Sequence, residues 1–470
     1  MRLTEVRIRN FKGIEEQTLK FQPGFNLLKG ENGTGKTSIL DAIAVGLGAF
    51  VGWMNPANAP QFTPYNVRKE YQRYGDGSAT WYYYFPAEVA VTAEFLDENQ
   101  TLTWTRSLDS APNSGLPAIK LDSEEVVNLS KTLANDTAKT LPILRYHGIP
   151  QARVLNSGFV PDLLSSLQNL DVVEKWLNLN SVMYAANHSF LNVPTHGQEG
   201  RIIGYRNALG TLSDVGECLS WCNQMERVRL QKGKPIAEYE AVKRAAETFM
   251  EVMEPGKRYQ VFYDNQLSEL ICAEDGGETL SISNLSSGYQ SLLWLSFDIA
   301  CHMAQLNAFM LDKIAETPGV VLIDELDLHL HPKWQWRVID ALRTTFPNVQ
   351  FIAATHAPIL FASANDVWLV DLDGEKPRYE WSRYGLDVNS SVMTYQGNYE
   401  LPERVRKLTD AVSGAINRKA YPEAKRLLDE LEAELTPKPG QNGADGGPVE
   451  TPTLARLRAR YDIETSWPGV

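Results

Sequence analysis

The apolar and polar residues of the chain follow two periods, one typical of strands and one typical of helices. Near the N-terminus, Val6 and Ile8 alternate with arginines, which predicts a half-buried strand. Residues 157–255 repeat instead at helical spacing, and strands and helices alternate after residue 259. Buried strands are predicted at 319–324, 349–354 and 366–371. This order predicts an α/β fold with a mixed, mainly parallel sheet, flanking helices and an N-terminal antiparallel β part.

The same pattern divides the chain into four predicted segments. They are an N-terminal lobe, a mainly helical insertion, a C-terminal lobe and a C-terminal helical extension, at 1–155, 156–258, 259–384 and 385–470. The N-terminal lobe contains a predicted aromatic loop at 55–85 and a hairpin around residues 97–99. The extension contains a helical piece at 403–435, a flexible Pro- and Gly-rich linker at 436–452 and a tail helix at 454–461. These helices are either docking surfaces or a lid on the core.

One loop carries the clearest chemistry of the chain. An apolar strand is followed by the eight-residue pattern Gly-x-x-x-x-Gly-Lys-Thr, and a helix then begins. Glycines let backbone N–H groups converge on a phosphate chain, and the positive end of the helix points at the same oxygens. We expect Lys36 to reach the β- and γ-phosphates and the Thr37 hydroxyl to coordinate Mg²⁺. The predicted nucleotide-binding residues are Gly30, Asn32, Gly33, Gly35, Lys36, Thr37 and Ser38.

A second apolar strand ends in two carboxylates, Asp324 and Glu325. In P-loop enzymes an aspartate at this place holds Mg²⁺, and the adjacent glutamate can orient or deprotonate the attacking water. Such a strand is a weak signal alone, since acids at strand ends are often only solvated, but it is a strong signal in a chain with a P-loop. ATP and Mg²⁺ are therefore the predicted ligands, and hydrolysis of ATP to ADP and phosphate is the predicted reaction.

Two further residues are candidates for the same site. His356 ends a predicted strand, where a neutral imidazole can sense the γ-phosphate, and a helix-capping or surface role is the alternative. Gln61 is a candidate Q-loop glutamine that senses Mg²⁺, and an ordinary loop glutamine is the alternative. The predicted catalytic residues are thus Lys36, Glu325 and His356, and the predicted metal ligands are Thr37, Asp324 and Gln61.

A serine- and glycine-containing stretch precedes another apolar helix and includes Ser286, Ser287 and Gly288. A hydroxyl, a glycine amide and a helix N-terminus together can bind an anion, and a simple N-capped helix is the alternative. The stretch resembles the signature motif of ABC-type ATPases, with Ser287 where glycine is usual and Tyr289 where Gln or Glu is usual. The resemblance implies that this motif contacts the γ-phosphate of a nucleotide bound to another subunit, so that ATP joins two chains.

Composition limits the function classes. The 470 residues include 58 acidic and 45 basic side chains, which give a net charge of −13. This charge does not favour broad electrostatic binding of nucleic acid, but it is compatible with a local basic patch. Cys218 and Cys222 are at helical spacing, more typical of packing than of metal ligation. Four scattered cysteines predict a reducing, cytoplasmic location. Because no apolar run is long enough for a membrane span and no signal peptide is evident, we expect a soluble protein.

Further motifs narrow the resemblance. The stretch from Ile8 to Ile14 resembles the opening strands of SMC and RecF proteins. The block after Asp324 resembles that of the OLD-like and SMC-like group, with His331 where many relatives carry the D-loop aspartate. Together with the blocks around Arg145 and Arg201, these motifs resemble the stand-alone PtuA-type ATPases of the Septu anti-phage system, which also occur in retrons. The resemblance covers residues 1–435.

The resemblance implies a regulator rather than an effector. It implies an ATP-dependent dimer or higher oligomer that controls an HNH-type nuclease encoded nearby, with a retron reverse transcriptase and its msDNA as further partners. Asp371-Leu-Asp373-Gly is predicted as a β-turn, and no Toprim or HNH unit is recognisable, so we expect no intrinsic nuclease. The alternatives are a RecF-like DNA-repair ATPase and a non-enzymatic scaffold whose assembly is controlled by ATP binding. Arg145 and Arg201 are candidates to touch nucleotide or a neighbouring chain, and structural salt bridges are the alternative.

Overall fold

A computed structural model describes residues 1–54, 60, 62–73, 79–109, 119–148, 200–210, 215–277, 279–328, 330–386, 390–391, 403–435 and 452–466. The chain forms two compact units, Met1–Ser391 and Val392–Val470. No described helix is both long enough and apolar enough to cross a membrane. Gln61 and most of the predicted linker lie outside the described residues, as do residues 149–199, which include the first part of the predicted insertion, 156–199. The four-segment division stays a prediction.

An antiparallel five-stranded sheet opens the first unit, in the order β2-β1-β6-β7-β8. Its strands are β1 (Arg2–Phe11), β2 (Ile14–Lys20), β6 (Ala87–Phe95), β7 (Gln100–Leu108) and β8 (Ile119–Leu121). Every second residue of β6 is buried, because successive side chains of a strand point to opposite faces. Strands β6 and β7 form the hairpin predicted around residues 97–99. The antiparallel N-terminal part of the prediction is confirmed.

A six-stranded sheet forms the second layer, in the order β16-β15-β3-β14-β13-β9. Its strands are β3 (Phe25–Lys29), β9 (Ile143–His147), β13 (Gly319–Ile323), β14 (Val349–Ala354), β15 (Val367–Asp371) and β16 (Arg378–Trp381). All neighbours are parallel except β15 and β16. Strands β13 and β14 are buried along their whole lengths, which explains their nearly continuous apolar sequences. The predicted α/β class with a mixed sheet is confirmed.

Helix α1 (Lys36–Val51) packs against both sheets. It approaches β6 so closely that a Cβ at Gly46 would lie 2.4 Å from Cγ2 of Val91. The indole of Trp104 donates to the carbonyl of Gly46 at 2.8 Å, and Arg106 donates to the carbonyl of Val45 at 2.5 Å. The antiparallel sheet therefore fixes the helix that follows the P-loop at Val45 and Gly46.

Six further α-helices with described bounds belong to the first unit: α2 (Glu125–Asn135), α3 (Val215–Lys232), α4 (Ala237–Met253), α5 (Ser287–Leu306), α6 (Pro332–Gln335) and α7 (Val338–Thr345). A small antiparallel sheet lies between α4 and α5 in the chain, with strands β10 (Tyr259–Asp264), β11 (Glu269–Glu274) and β12 (Thr279–Ser281). Apolar residues at helical spacing, such as Val242, Ala246 and Phe249, form the buried face of α4.

The predicted aromatic loop at 55–85 contains a two-stranded hairpin instead. Its strands are β4 (Lys69–Arg73) and β5 (Ala79–Tyr83). Neither strand has a buried apolar face, because every described side chain of the pair is exposed or only partly buried. The alternation that usually identifies a strand in a sequence is therefore missing here.

The second unit contains helices α8 (Glu403–Asn417), α9 (Tyr421–Leu435) and α10 (Pro452–Ser466). Apolar residues of all three helices form a common core: Leu408, Val412, Ala415, Ile416, Ala424, Leu428, Leu431, Leu454 and Leu457. The helical piece predicted at 403–435 is two helices, because the chain turns at Lys419, where φ is 58°. The N–H of Ala420 then bonds to the carbonyl of Ala415 at 2.9 Å and ends α8.

We expect Gly46→Ala to destabilise the protein, although alanine normally favours a helix interior by about 1 kcal/mol. The added methyl group would meet the stiff side chain of Val91 at 2.4 Å. Overpacking of this kind costs about 1–3 kcal/mol, which urea denaturation would detect as a lower midpoint. Gly13→Ala is the matched control, because a Cβ at Gly13 meets no atom within 4 Å. A raised midpoint for Gly46→Ala would contradict the close approach of α1 to β6.

Candidate functional site

The P-loop joins the carboxyl end of β3 to the start of α1. Gly33 and Gly35 adopt φ values of 92° and 93°, which glycine tolerates best. Gly30 is required for space, because a Cβ there would lie 2.5 Å from Oγ1 of Thr34. That hydroxyl donates to the carbonyl of Glu31 at 3.0 Å and closes the loop on itself. The loop thus needs glycine at positions 33 and 35 for its backbone angles and at position 30 for lack of space.

Lys36 is buried at the base of this loop. Its Nζ donates to the carbonyls of Gly30 and Glu31, at 2.6 Å and 2.9 Å. Burial lowers the pKa of Lys36, and carboxylates led by Asp373 and Asp324 oppose that shift. The ammonium group therefore lies against the loop. The carboxylates that act on it follow strands β13 and β15.

Thr37 and Asp324 meet at the same edge of the sheet. The Thr37 side chain lies beside the Asp324 carboxylate, which is only 8% exposed. Burial raises the pKa of Asp324, the nearby Glu325 and Asp41 raise it further, and the Thr37 hydroxyl opposes them. A buried carboxylate beside a hydroxyl is an all-oxygen donor set of the kind that Mg²⁺ prefers. The residues present at this corner thus fit a magnesium ion.

The backbone after β13 turns sharply at Glu325. Its φ is 51°, which is uncommon for a residue with a side chain. The turn lets the N–H of Leu326 bond to the carbonyl of Ala354, the last residue of β14, at 3.0 Å. One residue earlier, the N–H of Asp324 bonds to the carbonyl of His147 in β9 at 2.8 Å. The two carboxylates are therefore positioned by both strands that flank β13.

His356 lies two residues beyond β14 and is half-buried. A carboxylate oxygen of Asp327 accepts a bond from the Thr355 hydroxyl at 2.5 Å and from the His356 N–H at 3.2 Å. Asp327 thereby fixes the segment that carries the histidine. The sequence did not indicate this role, because Asp327 acts on residues 28 and 29 positions further along the chain, and no local pattern joins them.

Asp373 is a second contributor that the sequence patterns did not assign to the site. The N–H of Asp373 bonds to the Asp371 carboxylate at 3.0 Å, in agreement with the predicted turn. Its own carboxylate accepts a bond from the N–H of Glu31 in the P-loop at 2.8 Å. Asp371 in turn forms a buried ion pair with Lys29 at 2.9 Å. This turn therefore supports the P-loop from the neighbouring strand.

The signature stretch lies at the start of α5. Ser286 is the N-cap residue, yet its hydroxyl makes no capping hydrogen bond, and Ser286 and Ser287 are both exposed. Gly288 is buried, and the Tyr289 hydroxyl donates to the Glu254 carboxylate at the end of α4. The Tyr289 ring also packs edge-on against Trp334, with centroids 4.3 Å apart. Tyr289 thus anchors the beginning of this helix.

Three other candidates have structural partners. Arg145 forms a bidentate, buried ion pair with Asp298 at 2.8 Å and 2.9 Å. Arg201 donates to the carbonyls of Leu306, Asp136 and Lys139 at 2.7–2.9 Å. His331 caps α6 by accepting from the N–H of Lys333 at 3.2 Å. Arg145 thus forms the salt bridge that was the structural alternative, whereas Arg201 has structural hydrogen bonds to carbonyl groups.

A buried polar cluster surrounds Asp298 in α5. Besides Arg145, it includes His147 and His302, each with Nε2 at 3.4 Å from an Asp298 oxygen. Burial lowers the pKa of His147 to about 4, although Asp298 opposes that shift. Cys218 lies 3.7 Å from one of these oxygens. Because both carboxylate oxygens already bond to an arginine, the cluster is better explained as a structural ion pair than as a metal site.

Comparisons with known proteins agree with these motifs. Two ATPase family models match the chain, one described as an AAA domain at residues 5–183 and one as an AAA ATPase domain at residues 227–361. The chain carries AAA-type ATPase domains. This ATPase therefore belongs among nucleotide-binding proteins, and the first model includes the whole P-loop.

The relatives of this ATPase include proteins of retrons and of the Septu system. It is 47% identical over 87 residues to the retron Vc95 probable ATPase of Vibrio cholerae, a match that spans 18% of this chain and only 17% of that relative. It is 25% identical to the retron Ec83 probable ATPase of Escherichia coli, over 80% of this chain and 72% of the relative. It is 24% identical to the Septu protein PtuA of Bacillus thuringiensis, over 80% of this chain and 78% of that relative. These similarities confirm the resemblance stated from the motifs.

Among solved structures, an SMC head bound to the C-winged helix domain of ScpA aligns with 81% of this chain and 97% of its own. The TM-score is 0.44 and the identity is 16%, too low to carry an argument alone.

We expect the stability of the protein to fall between pH 6.5 and pH 9 through His302. Burial and the Arg145 charge oppose protonation of this imidazole, but the Asp298 carboxylate outweighs them and raises its pKa from 6.5 to about 9. The folded chain therefore holds a proton that the unfolded chain releases, so the contribution is complete below pH 6.5 and is lost through pH 9. Each unit of pKa difference corresponds to about 1.4 kcal/mol.

Urea denaturation across this range would measure the effect, with His302→Gln as the comparison. Burial also raises the pKa of the Cys222 and Cys272 thiols, so only the difference between the two proteins isolates the imidazole. We expect the variant to lose less stability than the parent between pH 6.5 and pH 9. Parallel curves for the two proteins would show that His302 is not protonated in the folded state.

Proposed function

We propose that this ATPase hydrolyses ATP in a site that a second copy of the chain completes. The observation that supports the proposal is the meeting of Lys36, Thr37 and Asp324 at one edge of the sheet. Lys36 and Thr37 begin the helix that follows β3, Asp324 directly follows β13, and together they supply a cation, a hydroxyl and a buried carboxylate. That combination matches the needs of a nucleotide triphosphate and its metal ion.

Each residue then has a defined role. Lys36 binds the β- and γ-phosphate oxygens, and the amides of Asn32, Gly33 and Gly35 surround the phosphate chain with those of the helix start. Thr37 and Asp324 would hold Mg²⁺, which would supply positive charge beside the phosphates. Glu325 orients the attacking water and accepts its proton.

His356 and the signature stretch act at the γ-phosphate. His356 follows β14, the strand between the P-loop strand and β13, so its imidazole lies on the correct edge of the sheet to sense this group. Ser286, Ser287 and Gly288 bind the same phosphate from the second subunit. The exposed start of α5 and a Ser286 hydroxyl with no capping role support this assignment over a simple N-cap.

The biological role that we propose is control of a partner nuclease in anti-phage defence. One relative named as a retron ATPase and one named as Septu PtuA each match four fifths of this chain, which supports a common role. An HNH-type nuclease encoded nearby is the proposed effector, with a retron reverse transcriptase and its msDNA as further partners. The nucleotide state of the ATPase would then set whether the nuclease is active.

We expect Glu325→Gln to bind ATP but to hydrolyse it about 10²–10⁴ times more slowly, because the amide cannot accept a proton from water. The variant should accumulate as an ATP-bound dimer in native mass measurements. Glu316→Gln is the matched control, since Glu316 is exposed and precedes the same strand at its opposite end. Lys36→Ala should lose ATP binding. A parental hydrolysis rate for Glu325→Gln would remove Glu325 from the mechanism.

We expect Asp327→Ala to lower kcat roughly 10- to 100-fold, with a smaller change in KM for ATP. The substitution removes the acceptor that fixes Thr355 and His356 without touching the P-loop. Asp327→Asn retains a side-chain oxygen and should recover most of the rate. Steady-state kinetics of both variants would test this, and equal losses in the two would argue against a positioning role.

The partner proposal is tested by expressing the tagged chain with its neighbouring genes and determining the native mass with and without ATP. Co-purification of a smaller nuclease-like chain in a defined ratio supports an ATPase–effector complex. Recovery of the ATPase alone, with ATP-dependent dimerisation and DNA-stimulated hydrolysis, would favour a RecF-like DNA-repair ATPase instead.

A further inference from the structure

The hairpin of β4 and β5 has two chemically different faces. Its antiparallel register places Lys69 opposite Tyr83 and Tyr71 opposite Trp81. Since side chains of a strand alternate between faces, one face carries these four residues and Arg73. We call this the cation–aromatic face. The opposite face carries Glu70, Gln72, Thr80 and Tyr82.

The rings of the cation–aromatic face are unusually open to solvent. Tyr71 is 53% exposed, Trp81 is 51% exposed and Tyr83 is 37% exposed. Tyr71 and Trp81 contact each other, with ring centroids 5.1 Å apart, and the Lys69 ammonium lies 5.0 Å from the Trp81 centroid. Clustered aromatic rings at the surface of a folded unit mark a binding surface more often than scattered apolar residues do.

Charge on this face is opposite in sign to that of the chain. Among the described residues of the two strands, the face carries Lys69 and Arg73 and no carboxylate, whereas the whole chain has a net charge of −13. The carboxylate of Glu70 is on the other face, where Arg68 and the Tyr84 hydroxyl bond to it at 2.6 Å each. The hairpin thus keeps this acid on the face opposite Tyr71, Trp81, Lys69 and Arg73.

The base of the hairpin is fixed to the antiparallel sheet. Val67 forms a β-bridge with Phe11, and the N–H of Arg68 bonds to the carbonyl of Asn10 at 2.8 Å. The N–H of Tyr84 closes the base by bonding to the carbonyl of Arg68 at 3.0 Å. The face is therefore presented from a defined position on the first unit.

We propose that the cation–aromatic face binds single-stranded nucleic acid. Exposed rings stack on bases whatever their sequence, and neighbouring lysine and arginine side chains neutralise the phosphates. A duplex hides its base faces in the stack, so the rings select an unpaired strand. The proposal concerns a surface outside the P-loop site, and it holds whether or not ATP hydrolysis controls a nuclease.

The test is fluorescence anisotropy of the full-length chain with a labelled oligo-dT of about 16 nucleotides at several salt concentrations. The double variant Tyr71→Ala/Trp81→Ala should bind at least about tenfold more weakly. The double variant Lys69→Gln/Arg73→Gln should reduce the slope of log affinity against log salt by about 0.7 for each phosphate that is no longer neutralised. Tyr82→Ala, an exposed ring on the opposite face, is the matched control and should bind like the parent.

Several results would overturn the proposal. They are the absence of oligo-dT binding at low salt, equal losses for Tyr82→Ala and the ring double variant, and equal affinity for a duplex of the same length. The first result would leave the face without a role in nucleic-acid binding. Circular dichroism and the ATPase rate without oligonucleotide should be unchanged in every variant. Loss of ATPase activity in the parent would instead count against the proposed function, so the two failures are distinguishable.

Discussion

Parallel pairing of β3, β14 and β13 is the constraint on which the site depends. Leu28 pairs with Ala354, and Ile323 pairs with Ala353, so the three strands end at the same level. Because these carboxyl ends share one edge, the residues that follow them meet although they are about 300 positions apart in the chain. A register shift of one residue would turn the flanking side chains to the other face of the sheet.

The parts of the site that could be predicted are those encoded by local patterns. The P-loop is complete within eight residues, and the apolar run before Asp324 identifies a buried strand by itself. Long-range contacts leave no such signal. Arg145 and Asp298 are 153 positions apart, and nothing in either neighbourhood indicates the other. The hairpin of β4 and β5 was missed for a different reason, since a strand with two solvated faces lacks the periodicity that identifies strands.

Helix α5 is held near its beginning and near its middle by buried or partly buried polar groups. Tyr289 bonds to Glu254 of α4, and Asp298 pairs with Arg145 of β9. Two residues beyond Arg145, the carbonyl of His147 holds the N–H of Asp324. The signature stretch and the carboxylates of β13 are thus joined through β9 by a short series of contacts. A rotation of α5 relative to the sheet would disturb the position of Asp324.

The left-handed backbone at Glu325 has a consequence for how the protein can evolve. Glycine adopts φ near 51° without strain, so it would be the more stable residue at this position. A glutamate there costs folding free energy, as is common where a side chain serves chemistry, and this cost agrees with the role in hydrolysis that we propose for Glu325. Under that proposal, copies of this fold released from selection for hydrolysis should drift toward glycine, asparagine or aspartate at position 325, and the residue found there would report whether a descendant still turns over ATP.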